Sequence, residues 1–392
     1  MNKTVSIEQL VIGMCVQKII KSKKNFNINN LLWIRSQEDI LNLKKAGVEL
    51  VEIAPEKSTN LNARKDIPAF KKNNQPIKYL PTKPLEQELQ VAKQIYLDAH
   101  QMQKKTFADL KKGQKLSIKE FEGLSSNIVD SLLRNPDSLA ILTRLRVGDD
   151  YLFEHSMRVG ILLGVFGTFL GFSEEIIQQL VLGGLIHDLG KIKVPPEILN
   201  KPGKLTDYEF CLVKGHVLHG RDLIRDARVQ LSETAFCVLM QHHETLDKKG
   251  YPYQLASKEI TRIGRMSAIV DIFDALISER TYKKGLMPAA ALSILKSMAP
   301  DKLDKDLVDS FISCIRIYPV GCLVLLQSKR LGIVYEHHAT SSIKPIIKLI
   351  YDLNTNSHIV NTLLDLSCAT ANDKIVTAEK PSKYGLNLQD YF

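Results

Sequence analysis

The chain has no cysteine pair spaced C-x-x-C. Its six cysteines, Cys15, Cys211, Cys237, Cys314, Cys322 and Cys368, are scattered. This excludes a disulfide framework and a zinc ribbon, and it suits a reducing compartment. Long apolar runs are missing too. The most apolar stretch, Ile161 to Phe172, is too short to cross a bilayer and continues into charged, capped sequence. The segment Met1 to Glu8 lacks the apolar core of a signal peptide. There is no internal repeat. These absences predict a cytoplasmic protein with neither membrane insertion nor export.

At 392 residues, the chain exceeds the size at which one core stops growing, so two or three domains are expected. A hydrophobic content of 44% is that of an ordinary globular protein. The formal charge of +10 favours anionic partners, phosphates among them. The basic stretch Lys21 to Asn25 lacks interleaved aromatics and reads as a solvated loop, so no nucleic-acid polymer is expected as a partner.

Short alternating strands (Val5 to Ile7, Met14 to Val16, Leu31 to Ile34) precede a capping box at Ser36 to Asp39. Gly47 is placed to end that helix, and alternation resumes over Val48 to Ile53. A small α+β domain is therefore expected over residues 1–55. Five prolines between Ala54 and Pro84 make 56–84 a linker. Residues 85–144 read as a helical connector, with a second capping box at Ser117 to Glu120. Helix starts are expected at Asp149-Asp150, Ser173 and Thr206 within a helical core over 145–300. Residues 301–392 read as a strand-rich extension built from hairpins. The fold class expected is mainly α.

Seven residues with metal-binding chemistry follow one another through the helical core: His155, His187, Asp188, His216, His242, His243 and Asp271. A carboxylate can bridge two cations, whereas an imidazole serves one, so Asp188 is the natural bridge. His155, His187, Asp188 and Asp271 close one site; His216, His242 and His243 close another around the second oxygen of Asp188. Two such cations acidify a shared water into a bridging hydroxide and neutralise a phosphodiester. Lys191 is placed to neutralise a phosphate oxygen or protonate the leaving alkoxide. Arg280 and Lys283 grip a phosphate only if the helix carrying Asp271 ends or bends near Ser278; otherwise they form a solvated basic face. Asp274 shares a helix face with Asp271 and is its rival. Glu244 is open between a partner for a ligand and a surface acid. His337-His338 lack further ligands at suitable spacing and read as a strand-end or loop pair.

The strings His187-Asp188-Leu189-Gly190-Lys191, His242-His243-Glu244, Gly250-Tyr251-Pro252 and Asp271 to Leu276, followed by Arg280-Thr281-Tyr282-Lys283, closely resemble the HD-GYP family, a branch of the HD-domain phosphohydrolases. The resemblance covers about residues 145–300. It implies an all-helical HD-domain core with two divalent metal ions, iron or manganese, and hydrolysis of cyclic di-GMP to pGpG or GMP. It implies the same seven ligands, with Asp274 as an outer partner of a ligating histidine. It assigns Lys191, Arg280 and Lys283 to substrate phosphates, with Asp188 and Lys191 catalytic. A Glu that recruits a third metal in some members is replaced here by Tyr151, so two metals are expected. Residues 1 to about 60 resemble an accessory domain of unknown function.

The family loop D-G-x-G-Y-P reads here Asp247-Lys248-Lys249-Gly250-Tyr251-Pro252, and Tyr253-Gln254 replace a common basic-Gly pair. Losing these glycines bears on loop shape and substrate preference. Two other functions are therefore kept beside the main one. In the first, the chain is a catalytically weak scaffold whose loop docks a GGDEF-domain partner. In the second, it hydrolyses another cyclic dinucleotide, such as cyclic GMP-AMP.

Overall fold

The computed structural model describes residues 3–10, 14–23, 32–34, 37–53, 81–143, 151–278, 285–338, 341–368 and 370–391. The chain divides into two compact units: residues 1–74 with Pro252–Leu255, and residues 75–251 with 256–392.

In the smaller unit, β1 (Lys3–Ser6), β2 (Cys15–Ser22), β3 (Leu32–Trp33), α1 (Gln37–Lys45) and β4 (Val48–Ile53) follow in order. The four strands form an antiparallel sheet in the order β1-β4-β2-β3. Val5, Val16, Ile19, Val51 and Ile53 share a core with Ile40 and Leu43 of α1. Gly47, at φ 80°, makes the left-handed turn that ends α1. The loop expected over Lys21 to Asn25 is in part strand. β2 runs to Ser22, and Lys21 pairs with Glu49 of β4 at 2.7 Å, so cross-strand charge extends the ladder. The Ser36 position and most of residues 56–84 lie outside the described residues.

The larger unit begins with α2 (Leu85–Lys111), α3 (Ile118–Arg134) and α4 (Pro136–Leu142). It continues through α5 (Tyr151–Phe169), α6 (Glu174–Ile186), α7 (Pro196–Leu199), α8 (Asp207–Lys214), α9 (His216–Asp226), α10 (Glu233–Gln241) and α11 (Arg262–Ile277). α12 (Pro288–Met298) and α13 (Lys305–Ile315) complete the helical part. Helix starts fall at Ser173 and Thr206 as expected, and Thr206 forms a full capping box with Glu209. Ser117 precedes α3, but its side chain caps nothing. α5 and α6 touch backbone to backbone: a Cβ on Gly184 would lie 2.5 Å from the Gly160 Cα. Phe166, Phe273 and Phe311 pack edge to face beneath them, with centroids 5.1 and 5.2 Å apart.

The tail starts as helix rather than strand. Asp304 accepts the Leu307 N–H at 3.1 Å and starts α13 before the sheet begins. The strands β5 (Leu323–Leu326), β6 (Arg330–His338), β7 (Ser341–Asp352), β8 (Ser357–Asp365) and β9 (Ile375–Ala378) form an antiparallel sheet ordered β8-β7-β6-β5-β9. His337 and His338 end β6. No helix among the described residues is long and apolar enough to cross a membrane.

Candidate metal centre

Three helix ends and two positions within helices deliver the site. His155 lies in the second turn of α5, and Asp271 and Asp274 share a face of α11. α6 stops at Ile186; His187 keeps helical dihedrals, and Asp188 (φ −101°, ψ 4°) leaves the helix before a 3-10 turn over Leu189–Lys193. The break lets two adjacent side chains face one centre. Gly190 in this turn lies against the backbone of α9: a Cβ there would overlap the His216 carbonyl oxygen and the Gly220 nitrogen. That close approach brings His216, the first residue of α9, opposite Asp188. His242 caps the end of α10, and His243 follows it.

The donor atoms converge. His155 Nε2 lies 3.0 Å from Asp271 Oδ1 and 3.5 Å from Asp188 Oδ2. His187 Nε2 is 3.4 Å from Asp188 Oδ2 and 3.8 Å from Asp271 Oδ1. His216 Nε2 is 3.2 Å from Asp188 Oδ1 and 3.3 Å from His242 Nε2, while His243 Nδ1 is 3.4 Å from Asp271 Oδ2. Lys191 Nζ donates to Asp188 Oδ2 at 2.5 Å. All seven are buried except His243, whose side chain is 22% exposed and marks, with Lys191, the open side.

The far sides of the rings explain how they are aimed. Nδ1 of His187 donates to the Gly184 carbonyl (2.7 Å), and Nδ1 of His216 to that of Val213 (2.6 Å). His242 Nδ1 is shared between the carbonyls of Val238 (3.1 Å) and Leu239 (3.0 Å). A carbonyl only accepts, so each Nδ1 carries the hydrogen and each Nε2 presents a bare lone pair to the centre. His155 Nδ1 meets Asp274 Oδ2 at 2.7 Å. His187 Nε2 and Asp188 Oδ1 are buried without a hydrogen-bond partner among the described residues. Buried lone pairs left like this are costly unless a cation meets them. Two groups, His155-His187-Asp188 and His216-His242-His243, each hold donor atoms within 4.8 Å of one another. These nitrogen and oxygen donors fit two divalent transition-metal ions.

The charges suit that role. Burial favours the neutral carboxyl of Asp188, but His187 and Lys191 outweigh it and hold the group well below the usual carboxylate range. Burial is likewise overcome at Asp271, chiefly by His243 and His155. Burial pushes the imidazoles of His242 and His243 down, keeping them neutral, as ligands must be.

The Tyr251 ring lies tilted against His243, with centroids 4.5 Å apart and 34° between the planes, and the Tyr251 backbone N–H donates to the His243 carbonyl at 3.1 Å. Gly250 is required: a Cβ there would lie 2.5 Å from the Glu244 Cα and the Thr245 nitrogen. Pro252 follows, half-buried. Lys248 and Gln254, at the positions of the family glycines, take left-handed backbones with φ 61° and 53°. Lys248 is fixed there by a turn in which Asp247 accepts from the Thr245 hydroxyl (2.6 Å) and the Lys249 N–H (3.1 Å). Glu244 is buried, which rules out the surface-acid reading. α11 ends at Ile277, and Ser278 is extended with ψ 135°. Arg280 and Lys283 lie outside the described residues, as does the side chain of Tyr151. The sequence reading missed Arg158, whose guanidinium forks onto Asp274 at 2.7 and 3.1 Å. Its spacing from Glu154 (i, i+4) and His155 (i, i+3) was the available signal.

Residues 145–307 match the family model of the HD domain, and residues 2–121 match a domain of unknown function, DUF3391. The chain is similar to cyclic di-GMP phosphodiesterase PA4108 of Pseudomonas aeruginosa, with 34% identity over 388 residues, 97% of this chain and 92% of that protein. It is 34% identical over 155 residues to the cyclic di-GMP phosphodiesterase response regulator RpfG of Xanthomonas campestris, covering 40% of this chain and 41% of that one. It is also 34% identical over 129 residues to 3'3'-cGAMP-specific phosphodiesterase 2 of Vibrio cholerae, covering 33% of this chain and 25% of that protein. With the ordered histidine and aspartate strings gathered at one centre and similarity along almost its whole length, the chain belongs to the HD-GYP family of HD-domain phosphohydrolases.

Proposed function

We propose that the chain is a cytoplasmic, metal-dependent phosphodiesterase that hydrolyses cyclic di-GMP to pGpG, GMP or both, with iron or manganese as the metal. The observation that carries this is the aim of the imidazoles. Three rings are anchored to backbone carbonyls through Nδ1; His187 and His216 turn bare Nε2 atoms toward separate oxygens of Asp188, and His242 turns its own toward His216 Nε2.

In this reading His155, His187, Asp188 and Asp271 hold one cation, and His216, His242, His243 and Asp188 hold the other. Bound there, the cations would acidify a shared water and offset the charge of the phosphodiester. Asp188 would serve both cations, since its carboxylate is held ionised and its two oxygens face different histidines. Lys191, partly exposed beside Asp188, donates to a phosphate oxygen or passes a proton to the leaving alkoxide. The extended Ser278 ends α11 before Arg280 and Lys283, the condition for both to reach a substrate phosphate. Protein purified without oxygen and loaded with Fe(II) or Mn(II) is expected to convert cyclic di-GMP, and Asp188→Ala to lose turnover together with bound metal. Absence of turnover by metal-replete protein overturns the proposal.

A second reading, hydrolysis of cyclic GMP-AMP, is supported by the similarity to the cGAMP-specific enzyme and by the non-glycine residues in the loop. Competition between the two dinucleotides decides between them. The exposed Lys248 and Lys249 at the loop tip support the third reading, docking of a GGDEF-domain partner. Capture of such a domain that survives Asp188→Ala and fails on changing both lysines would select it.

A further inference from the structure

Behind His155 runs a line of buried polar side chains that extends out of the HD-domain match. Asp274 meets His155 Nδ1 with Oδ2 and is fully buried. Arg158 binds both Asp274 oxygens, and Ser278 donates to Oδ2 at 3.0 Å while accepting from Arg158 at 2.8 Å. The other arm of Arg158 reaches Glu154 Oε2 at 3.4 Å, and that oxygen also accepts from the Tyr96 hydroxyl. Tyr96 is buried on α2, which lies inside the DUF3391 match and outside residues 145–307.

We propose that Tyr96, Glu154 and Arg158 are positioning residues for His155, acting through Asp274, so that the DUF3391-matched segment helps to hold the metal centre. The inference rests on His155 being a ligand. A carboxylate behind a ligating imidazole fixes its tautomer and ring angle, and it does so only if the carboxylate itself cannot turn. Asp274 is held by the planar fork of Arg158, which admits one orientation. The fork is held in turn by Glu154, whose carboxylate has a single donor on its far side, the Tyr96 hydroxyl; Glu154 Oε1 has no hydrogen-bond partner among the described residues. Removing that hydroxyl frees Glu154, and the slack passes along the line to His155. His216, His242 and His243 are anchored through Nδ1 or lie beyond this line, so only the cation on the His155 side should respond.

The test is Mn(II) titration of metal-free protein by calorimetry, beside its melting temperature. Tyr96→Phe removes one oxygen and keeps the ring in place. It is expected to weaken one of the two Mn(II) sites about tenfold and leave the other unchanged, with Arg158→Lys weakening the same site at least as much. Wild-type affinity at both sites overturns the proposal, and a lowered melting temperature with unchanged affinities shows a purely structural role. If Tyr96→Phe does not fold, Glu154→Gln decides on the same outcomes. Failure of the wild-type protein to bind Mn(II) is a separate result that overturns the ligand reading itself.

Discussion

A lysine at φ 61° carries its Cβ close to its own carbonyl oxygen, a conformation that costs a non-glycine residue about 1 kcal/mol. Lys248 is exposed, so little packing is lost on removing its side chain. Lys248→Gly is therefore expected to raise stability in urea by about 1 kcal/mol, and a decrease would show that the side chain holds the turn. Gly190→Ala should act the other way. Its Cβ would meet the backbone of His216 and Gly220 rather than a side chain able to move aside. Overpacking of this kind costs about 3 kcal/mol, and metal binding should fall with it; a variant with unchanged melting and metal content would contradict the packing. Five of the seven ligand-type residues were legible in the sequence because they sit in short strings, at His187-Asp188, at His242-His243 and at Asp271. Arg158 was less so: its spacing from Glu154 and His155 marks a shared helix face, but nothing local names Asp274, the aspartate that meets it 116 residues later.

Helix starts show where local pattern suffices and where backbone geometry decides. Thr206 and Ser117 both open an S/T-x-x-E string, yet only Thr206 (ψ 164°) caps its helix, while Ser117 (ψ 101°) makes no cap bond. Composition separated a strand-rich tail from the helices, and the tail's sheet is present; α13 went unread because its short Asp304-led amphipathic run was absorbed into the same segment. α4 supplies a pH test. Asp137, in its first turn, is pushed up to about 6 by burial, with Arg316 working against the shift and Glu336 with it. An acid raised on folding contributes stability that is complete below its unfolded value near 4 and is lost as pH rises through about 6. Asp137→Asn should therefore match the parent near pH 4 and exceed it at pH 8 by about 2 kcal/mol, measured by urea unfolding. A difference independent of pH would place the cause elsewhere.

The larger unit runs from residue 75 to residue 392, interrupted only at Pro252–Leu255, whereas the sequence suggested a connector, a catalytic core and an extension. Those divisions came from composition, which changes at the prolines before residue 85 and again after Pro300. Compactness comes from contacts no local pattern encodes, such as Tyr96 with Glu154 and Lys380 with the Gly285 carbonyl. Since the donor groups come from α5, α6, α9, α10 and α11 of this unit, metal should stabilise it. At a free Mn(II) concentration about 100 times the dissociation constant, each site is expected to add about 2.7 kcal/mol. Melting should therefore rise on loading, fall with a chelator and become insensitive to both in Asp188→Ala. A melting temperature indifferent to metal in the unaltered protein would count against the centre.

The carbonyls of Gly184, Val213, Val238 and Leu239 that grip the ring nitrogens are backbone atoms of α6, α8 and α10. The imidazoles of His187, His216 and His242 thus give up their rotation when these helices form, and a cation bound there would order little that is not already ordered. Loading is then a matter of passage by His243 and Lys191 rather than of local refolding.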